Sequence, residues 1–221
     1  MGEAVVLEER YTYGDYKTWD DEFRWELIDG KAFCMGFGPK PRKQKSLGAT
    51  DERIVGISPG PGEVHQSLSA ELTAELRAYF KGKECRIYAA PFDVMLQSGD
   101  ESESAVGTVV QPDIMIVCDK SKIQHNGIKG APDVVFEILS PSTARHDLAD
   151  KFNLYERAGV KEYVIADPQN RVMIAYRRDE AGRYSVKYVY GTDDVLEFAM
   201  FPELKIPLNP IWEYIRELPM S

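Results

Sequence analysis

The sequence predicts an α/β fold in which a central mixed β-sheet is flanked by helices. Two observations support this class: two stretches have helical apolar periodicity, and nearly continuous apolar strands lie between and after them. The order helix, strand, strand, strand, helix, strand suits one sheet covered by helices. Because 221 residues suffice for one well-buried core, we expect a single domain over residues 1–221.

The first helix is predicted over Glu63–Phe80. Apolar residues recur there every three or four positions, on one face of the helix: Leu68, Leu72, Leu76 and Tyr79. His65 lies three residues before this stripe and extends it into the first turn. We therefore expect His65 to be either a satisfied core histidine or a residue that faces a functional site.

The second helix is predicted from about Ala144 to Ala158, with Thr143 as its N-cap and Gly159 just after its end. Its apolar stripe is predicted to be Leu148, Phe152 and Tyr155. Lys151 borders this stripe, so it could reach back to the sheet. Pairing with Asp147, four residues earlier on the helix, is the alternative for this lysine.

Three extended segments are predicted between the two helices: Cys85–Leu96, Asp113–Cys118 and Asp133–Leu139. The second and third are nearly all apolar, as expected of central strands covered on both faces. Alternating apolar residues around Asp29-Gly30 predict an N-terminal hairpin. A C-terminal hairpin is predicted from Arg171–Arg177 and Tyr184–Tyr190.

Charge and cysteine content limit the class of protein. A net charge of −9 argues against strong non-specific binding to nucleic acid, although the segment Pro39–Lys45 is basic and could contact phosphate. The cysteines Cys34, Cys85 and Cys118 are odd in number and far apart, which predicts buried free thiols. We expect a cytoplasmic protein without a membrane span.

Carboxylates inside the apolar strands are the candidate site. A buried carboxylate is unfavourable unless it is protonated, paired or bound to a metal. If the three predicted strands are neighbours, Asp93, Asp113 and Glu137 could converge, and such oxygen ligands suit Mg²⁺ or Mn²⁺. Alternatively, Asp113 and Glu137 could be strand-end residues that accept bonds from main-chain N–H groups.

Several segments resemble the Uma2 family, which is grouped with restriction endonuclease-like proteins of the PD-(D/E)XK nuclease superfamily. The resemblance covers about Tyr13 to Tyr176 and is most specific over Pro132–Pro168. The segments that carry it are Trp25-Glu26-Leu27-Ile28-Asp29-Gly30, Gln111-Pro112-Asp113, Glu137-Ile138-Leu139-Ser140-Pro141-Ser142-Thr143, Lys151 and Gly159-Val160-Lys161-Glu162-Tyr163-Val164-Ile165-Ala166-Asp167-Pro168.

The resemblance implies a restriction endonuclease-like core, a divalent metal and phosphodiester hydrolysis. It assigns Asp113 to the aspartate of the PD motif and Glu137 to the first acid of the (D/E)XK motif. Leu139 stands where that motif has its lysine, and Lys151 on the following helix is the implied replacement. Asp133, in a second Pro-Asp pair, is an alternative partner of Glu137, while Glu26 and Asp93 are outer candidates.

We therefore predict a Mg²⁺- or Mn²⁺-dependent endonuclease in which Asp113 and Glu137 hold the metal and Lys151 orients the nucleophile. The expected partner is nucleic acid, with DNA favoured, and nucleases of this fold often act as homodimers. The alternative is a non-catalytic nucleic-acid-binding or regulatory protein that retains the nuclease fold.

Overall fold

The computed structural model describes residues 6–7, 9–20, 23–37, 62–97, 99–141 and 144–216. In chain order, its strands are β1 (Val6–Leu7), β2 (Phe23–Ile28), β3 (Lys31–Phe37), β4 (Arg86–Ala89), β5 (Asp93–Met95), β6 (Val109–Val110), β7 (Ile114–Val117), β8 (Ile123–Gln124), β9 (Gly127–Lys129), β10 (Val134–Ile138), β11 (Glu162–Asp167), β12 (Val172–Arg177), β13 (Val186–Tyr190), β14 (Val195–Glu197) and β15 (Lys205–Pro207).

The α-helices are α1 (Tyr13–Tyr16), α2 (Glu63–Phe80), α3 (Phe152–Ala158) and α4 (Leu208–Arg216). A π-helical segment, His146–Lys151, leads directly into α3. In the described part of the chain, short 3₁₀ turns occur at Glu103–Ala105 and Lys120–Lys122. Across these described residues, none of the helices combines the length and the apolar composition that crossing a membrane requires.

A six-stranded mixed sheet of order β13-β12-β11-β10-β7-β4 forms the centre of the fold. Its neighbours pair antiparallel except β10 and β11, which are parallel and are joined by the π-helical segment and α3. A parallel pair needs such a crossover, because the end of the first strand and the start of the second lie at opposite ends of the strands. The predicted α/β class with a mixed sheet flanked by helices is confirmed.

Both faces of this central sheet are covered. On one face, the apolar stripe of α2 packs with α4 against alternate residues of β7 and β10. On the other face, α3 and a second sheet pack against the intervening residues. Every residue of β7 and β10 is therefore buried, which explains why both strands are apolar apart from Glu137.

The second sheet was not predicted. It has seven strands in the order β1-β3-β2-β6-β5-β9-β8 and contains the hairpin of β2 and β3. Asp29 and Gly30 have φ angles of 51° and 80°, as a tight hairpin turn requires, so the N-terminal hairpin is confirmed. The antiparallel pair β12–β13 likewise confirms the C-terminal hairpin, although it belongs to the central sheet.

The prediction of one extended segment over Cys85–Leu96 is wrong. β4 pairs with β7 in the central sheet, whereas β5 pairs with β6 and β9 in the second sheet. Pro91 lies between β4 and β5 and has no N–H to donate to a ladder, which suits a point where the chain leaves one sheet for the other.

The prediction of three free thiols is also wrong. Cys85 and Cys118 form a disulfide, whereas Cys34 is buried outside that disulfide. β4 and β7 pair with Arg86 opposite Val117, so continuing the register by one residue places Cys85 opposite Cys118. The two cysteines are 33 residues apart in the sequence, and only the pairing of β4 with β7 brings them together. The sequence alone therefore did not reveal the disulfide.

Candidate active site

Asp113 immediately precedes β7, and Glu137 lies on the neighbouring strand β10, so both are at the same end of this strand pair. β7 and β10 are antiparallel with Ile114 opposite Phe136, so continuing the register by one residue places Asp113 opposite Glu137. Directly opposed residues point to the same face of a sheet. Both carboxylates are buried, with 7% of Asp113 and 2% of Glu137 exposed.

Each of these carboxylates has both of its donors on one oxygen. Glu137 Oε1 lies 2.9 Å from Lys151 Nζ and accepts a hydrogen bond of 2.7 Å from the Tyr155 hydroxyl. Asp113 Oδ2 accepts a bond of 2.8 Å from the Ile138 main-chain N–H and lies 3.1 Å from His65 Nε2. Among the described residues, none donates to Asp113 Oδ1 or Glu137 Oε2.

Lys151 joins three carboxylates inside the protein. Only 2% of the residue is exposed, and its Nζ lies 2.9 Å from Glu137 Oε1, 3.1 Å from Glu26 Oε1 and 3.4 Å from Asp147 Oδ1. Lys151 therefore both reaches the sheet and pairs with Asp147, which the sequence had offered as alternatives. Burial opposes the charge of the ammonium, but the three carboxylates raise the pKa of Lys151 well above its usual value.

The π-helical segment changes which side chains before α3 are buried. A π-turn carries an extra residue relative to an α-turn, so it shifts the phase of the residues that precede it. Leu148, predicted on the apolar stripe, is consequently 44% exposed, whereas Asp147 is buried. The predicted continuous α-helix and its stripe are wrong in this part, and the proposed N-cap Thr143 lies outside the described residues.

Glu26 enters the same cluster from the hairpin of the second sheet. Its Oε1 accepts a hydrogen bond of 2.8 Å from the Gln111 N–H, and its Oε2 lies 3.4 Å from His146 Nε2. Burial disfavours ionisation of this carboxyl, but Lys151, His146 and the Gln111 N–H together lower the pKa of Glu26. Glu26 therefore carries negative charge beside Lys151.

Glu137 behaves in the opposite way. Burial raises its pKa well above the ordinary value, and although the Lys151 ammonium opposes this, repulsion by Asp113, Asp147 and Glu26 adds to the increase. The Lys151 ammonium is thus shared among several carboxylates. Glu137 therefore retains a proton to a higher pH than an exposed glutamate. The cluster has more carboxylates than the ammonium of Lys151 can neutralise.

His65 faces this cluster. It lies in the first turn of α2, and its Nε2 is 3.1 Å from Asp113 Oδ2. Its side chain is 16% exposed. Of the two alternatives for His65, the structure therefore favours contact with the candidate site.

Asp93 and Asp133 lie elsewhere. Asp93 belongs to β5, where its Oδ1 accepts bonds from Gln111 Nε2 at 2.7 Å and from the Tyr16 hydroxyl at 3.3 Å. Asp133 lies at the other end of β10 from Glu137 and accepts bonds of 2.8 Å from Cys118 N and from Lys161 Nζ. The alternative in which Asp133 partners Glu137 is wrong, because the two residues are four positions apart along an extended strand, about 13 Å.

Sequence reasoning missed three residues of the cluster: His146, Asp147 as an inward-facing acid, and Tyr155 as a hydrogen-bond donor. Two of them, Asp147 and Tyr155, lie four residues before and after Lys151, a spacing that could have drawn attention to them. The basic segment Pro39–Lys45, which could contact phosphate, falls outside the described residues.

Comparisons with known proteins agree with this fold. A sequence profile of the Uma2 family, described as "Putative restriction endonuclease", matches residues 39–209. Uncharacterized protein slr1290 of Synechocystis sp. is 20% identical over 182 residues, covering 81% of this chain and 80% of that protein.

A crystal structure described as "a putative nuclease belonging to DUF820", from Anabaena variabilis, is similar in fold, with a TM-score of 0.64 at 17% sequence identity. The match covers 92% of this chain and 98% of that one. Since the family profile matches well over half of the sequence, this chain belongs to the Uma2 family and has a restriction endonuclease-like fold.

Proposed function

We propose that this protein is a metal-dependent endonuclease that hydrolyses phosphodiester bonds of nucleic acid, with DNA as the expected substrate. The observation that carries the proposal is the arrangement of Asp113 and Glu137. These acids oppose each other on neighbouring strands, and each has one oxygen held by two groups and one oxygen with no donor among the described residues.

The residues of the cluster fit a small divalent cation. The described part of the chain has no group of three or more His, Cys, Asp and Glu side chains arranged to hold a metal ion. Mg²⁺ does not need such a group, since it keeps several waters and usually binds through one or two carboxylates together with substrate phosphate. Asp113 Oδ1 and Glu137 Oε2 would hold it, and its charge would offset the excess of carboxylates.

Residues around the metal would orient the nucleophile and hold the metal ligands in place. A bound Mg²⁺ or Mn²⁺ supplies an activated water and stabilises negative charge on a phosphoryl oxygen. Lys151 would provide the cation that Leu139 cannot, orienting the nucleophile beside Glu137. His65 and the Ile138 N–H would hold the second oxygen of Asp113, while Glu26 keeps Lys151 charged.

One observation favours the non-catalytic alternative, in which the protein binds nucleic acid or regulates another process. Glu137 and Lys151 are each only 2% exposed, so the cluster could serve as a buried ionic network. Such networks occur without any catalytic role. The two functions differ in one measurable respect, which is cleavage.

We expect purified protein to cleave nucleic acid in the presence of Mg²⁺ or Mn²⁺ and to lose that activity in excess EDTA. Gel assays on double-stranded DNA, single-stranded DNA and RNA would identify the substrate. Restoration of cleavage by added metal is the control for irreversible damage. Binding of any of these substrates without cleavage, under all metal conditions, would favour the non-catalytic alternative.

Metal affinity is expected to rise with pH. The pKa of Glu137 is raised in the folded protein, whereas metal binding requires the carboxylate, so binding must displace a proton. Affinity should fall progressively as the pH drops below the raised pKa of Glu137, because the proton then competes with the metal, and should level off above that pKa. Isothermal titration calorimetry in buffers of different ionisation enthalpy measures the released proton. If no proton is released, either Glu137 is already ionised before the metal binds, or Glu137 does not bind the metal.

The single domain over residues 1–221, the cytoplasmic location and the homodimer stay predictions.

A further inference from the structure

We infer that Tyr155 is a positioning residue that fixes the carboxylate of Glu137 so that Oε2 is the oxygen offered to the metal. The inference rests on the proposed function. Tyr155 donates a hydrogen bond of 2.7 Å to Glu137 Oε1, and it is fully buried on α3, four residues after Lys151. The residues at these two positions therefore approach the same oxygen from one side of one helix.

Lys151 cannot fix this orientation alone. Its ammonium lies within 3.4 Å of three carboxylates, those of Glu137, Glu26 and Asp147, so it is not committed to one acceptor. A lysine head is also a compact charge with three equivalent donors, which imposes little direction on its partner.

The Tyr155 hydroxyl, in contrast, donates to one acceptor among the described residues, and its ring has a rigid support. Its ring packs edge-on against that of Tyr163, with the ring centroids 5.0 Å apart. A fixed donor on Oε1 leaves Oε2 as the oxygen that can coordinate a cation. Groups that orient a metal ligand in this way commonly change metal affinity when they are removed.

The test compares Tyr155→Phe with Tyr163→Phe. Both changes delete one buried hydroxyl from adjacent rings, but the Tyr163 hydroxyl donates to the main-chain oxygen of Asp147 and not to Glu137. Calorimetric titration with Mn²⁺ and Mg²⁺ is expected to show a loss of affinity of about 10- to 100-fold for Tyr155→Phe. Tyr163→Phe should bind metal like the wild type.

Activity provides a second readout. With Tyr155→Phe, the metal concentration that gives half-maximal cleavage should rise by a similar factor, and the rate at saturating metal should recover. Thermal unfolding without metal shows whether both variants are folded. Equal metal affinities for the two variants would overturn the inference, as would unfolding of Tyr155→Phe beside a folded Tyr163→Phe, because the hydroxyl would then have only a structural role.

Failure of the proposed function gives a different result. In that case the wild type would show no saturable binding of Mg²⁺ or Mn²⁺, or Asp113→Asn would bind them equally well. Metal binding that depends on Asp113 but is unaffected by Tyr155→Phe would refute only the role of Tyr155.

Discussion

Replacing Asp113 by asparagine is expected to lower metal-dependent cleavage by about 10³-fold, which corresponds to about 4 kcal/mol of transition-state stabilisation. Asparagine keeps the shape of the side chain and a carbonyl oxygen that can still accept from the Ile138 N–H. It removes the negative charge that would hold the cation. Initial rates at saturating metal and substrate, together with calorimetric metal affinity, measure the effect.

The matched control is Asp133→Asn. Asp133 also follows a proline, is 7% exposed like Asp113, and accepts a hydrogen bond of 2.8 Å from a main-chain N–H of the neighbouring strand segment. The two aspartates therefore play equivalent structural parts at opposite ends of the β7–β10 pair. Only Asp113 opposes Glu137, so only its variant should lose cleavage. Equal losses in both variants would mean that the change acts through the strands and not through a metal site.

Local patterns in the sequence were sufficient for much of the fold. The stripe at Leu68, Leu72 and Leu76 predicted α2 with its observed bounds, since helix periodicity depends only on neighbouring turns. The turn at Asp29-Gly30 likewise predicted its hairpin, because few residues adopt positive φ so readily. These features need no knowledge of distant parts of the chain.

Features created by long-range pairing could not be predicted in this way. The separation of β4 from β5, and the disulfide between Cys85 and Cys118, depend on which strands lie side by side. The pattern of residues in a single sequence does not show which strands will pair. Asp113 and Glu137 were identified by their unusual position in apolar strands and by resemblance, and not by any calculated contact.

The position of Lys151 shows a subtler limit. An α-helical period places Leu148 on the buried stripe, whereas the π-helical segment buries Asp147 and turns Leu148 outward. Lys151, at the end of this segment, contacts carboxylates from β2 and β10, and a pattern confined to the helix contains no information about those partners. Glu26 was for the same reason only an outer candidate, although the structure places it 3.1 Å from the ammonium.

Replacing Lys151 by alanine is expected to lower the free energy of unfolding by about 3–5 kcal/mol, because it leaves buried carboxylates without their cation. Lys161→Ala is the matched control. Lys161 also lies 2.8 Å from a buried aspartate, Asp133, but 56% of its side chain is exposed, so water can replace it and the loss should be about 0–1 kcal/mol. Urea unfolding of both variants without metal gives the comparison.

Two further measurements separate stability from catalysis in the Lys151→Ala variant. Adding Mg²⁺ should raise its unfolding temperature more than that of the wild type, because a bound cation would replace the missing ammonium charge. Cleavage measured well below the unfolding temperature should still be lowered by about 10²–10³-fold if Lys151 orients the nucleophile. A folded Lys151→Ala protein that cleaves like the wild type would refute that role. A variant as stable as Lys161→Ala would instead show that Lys151 does not neutralise the buried acids.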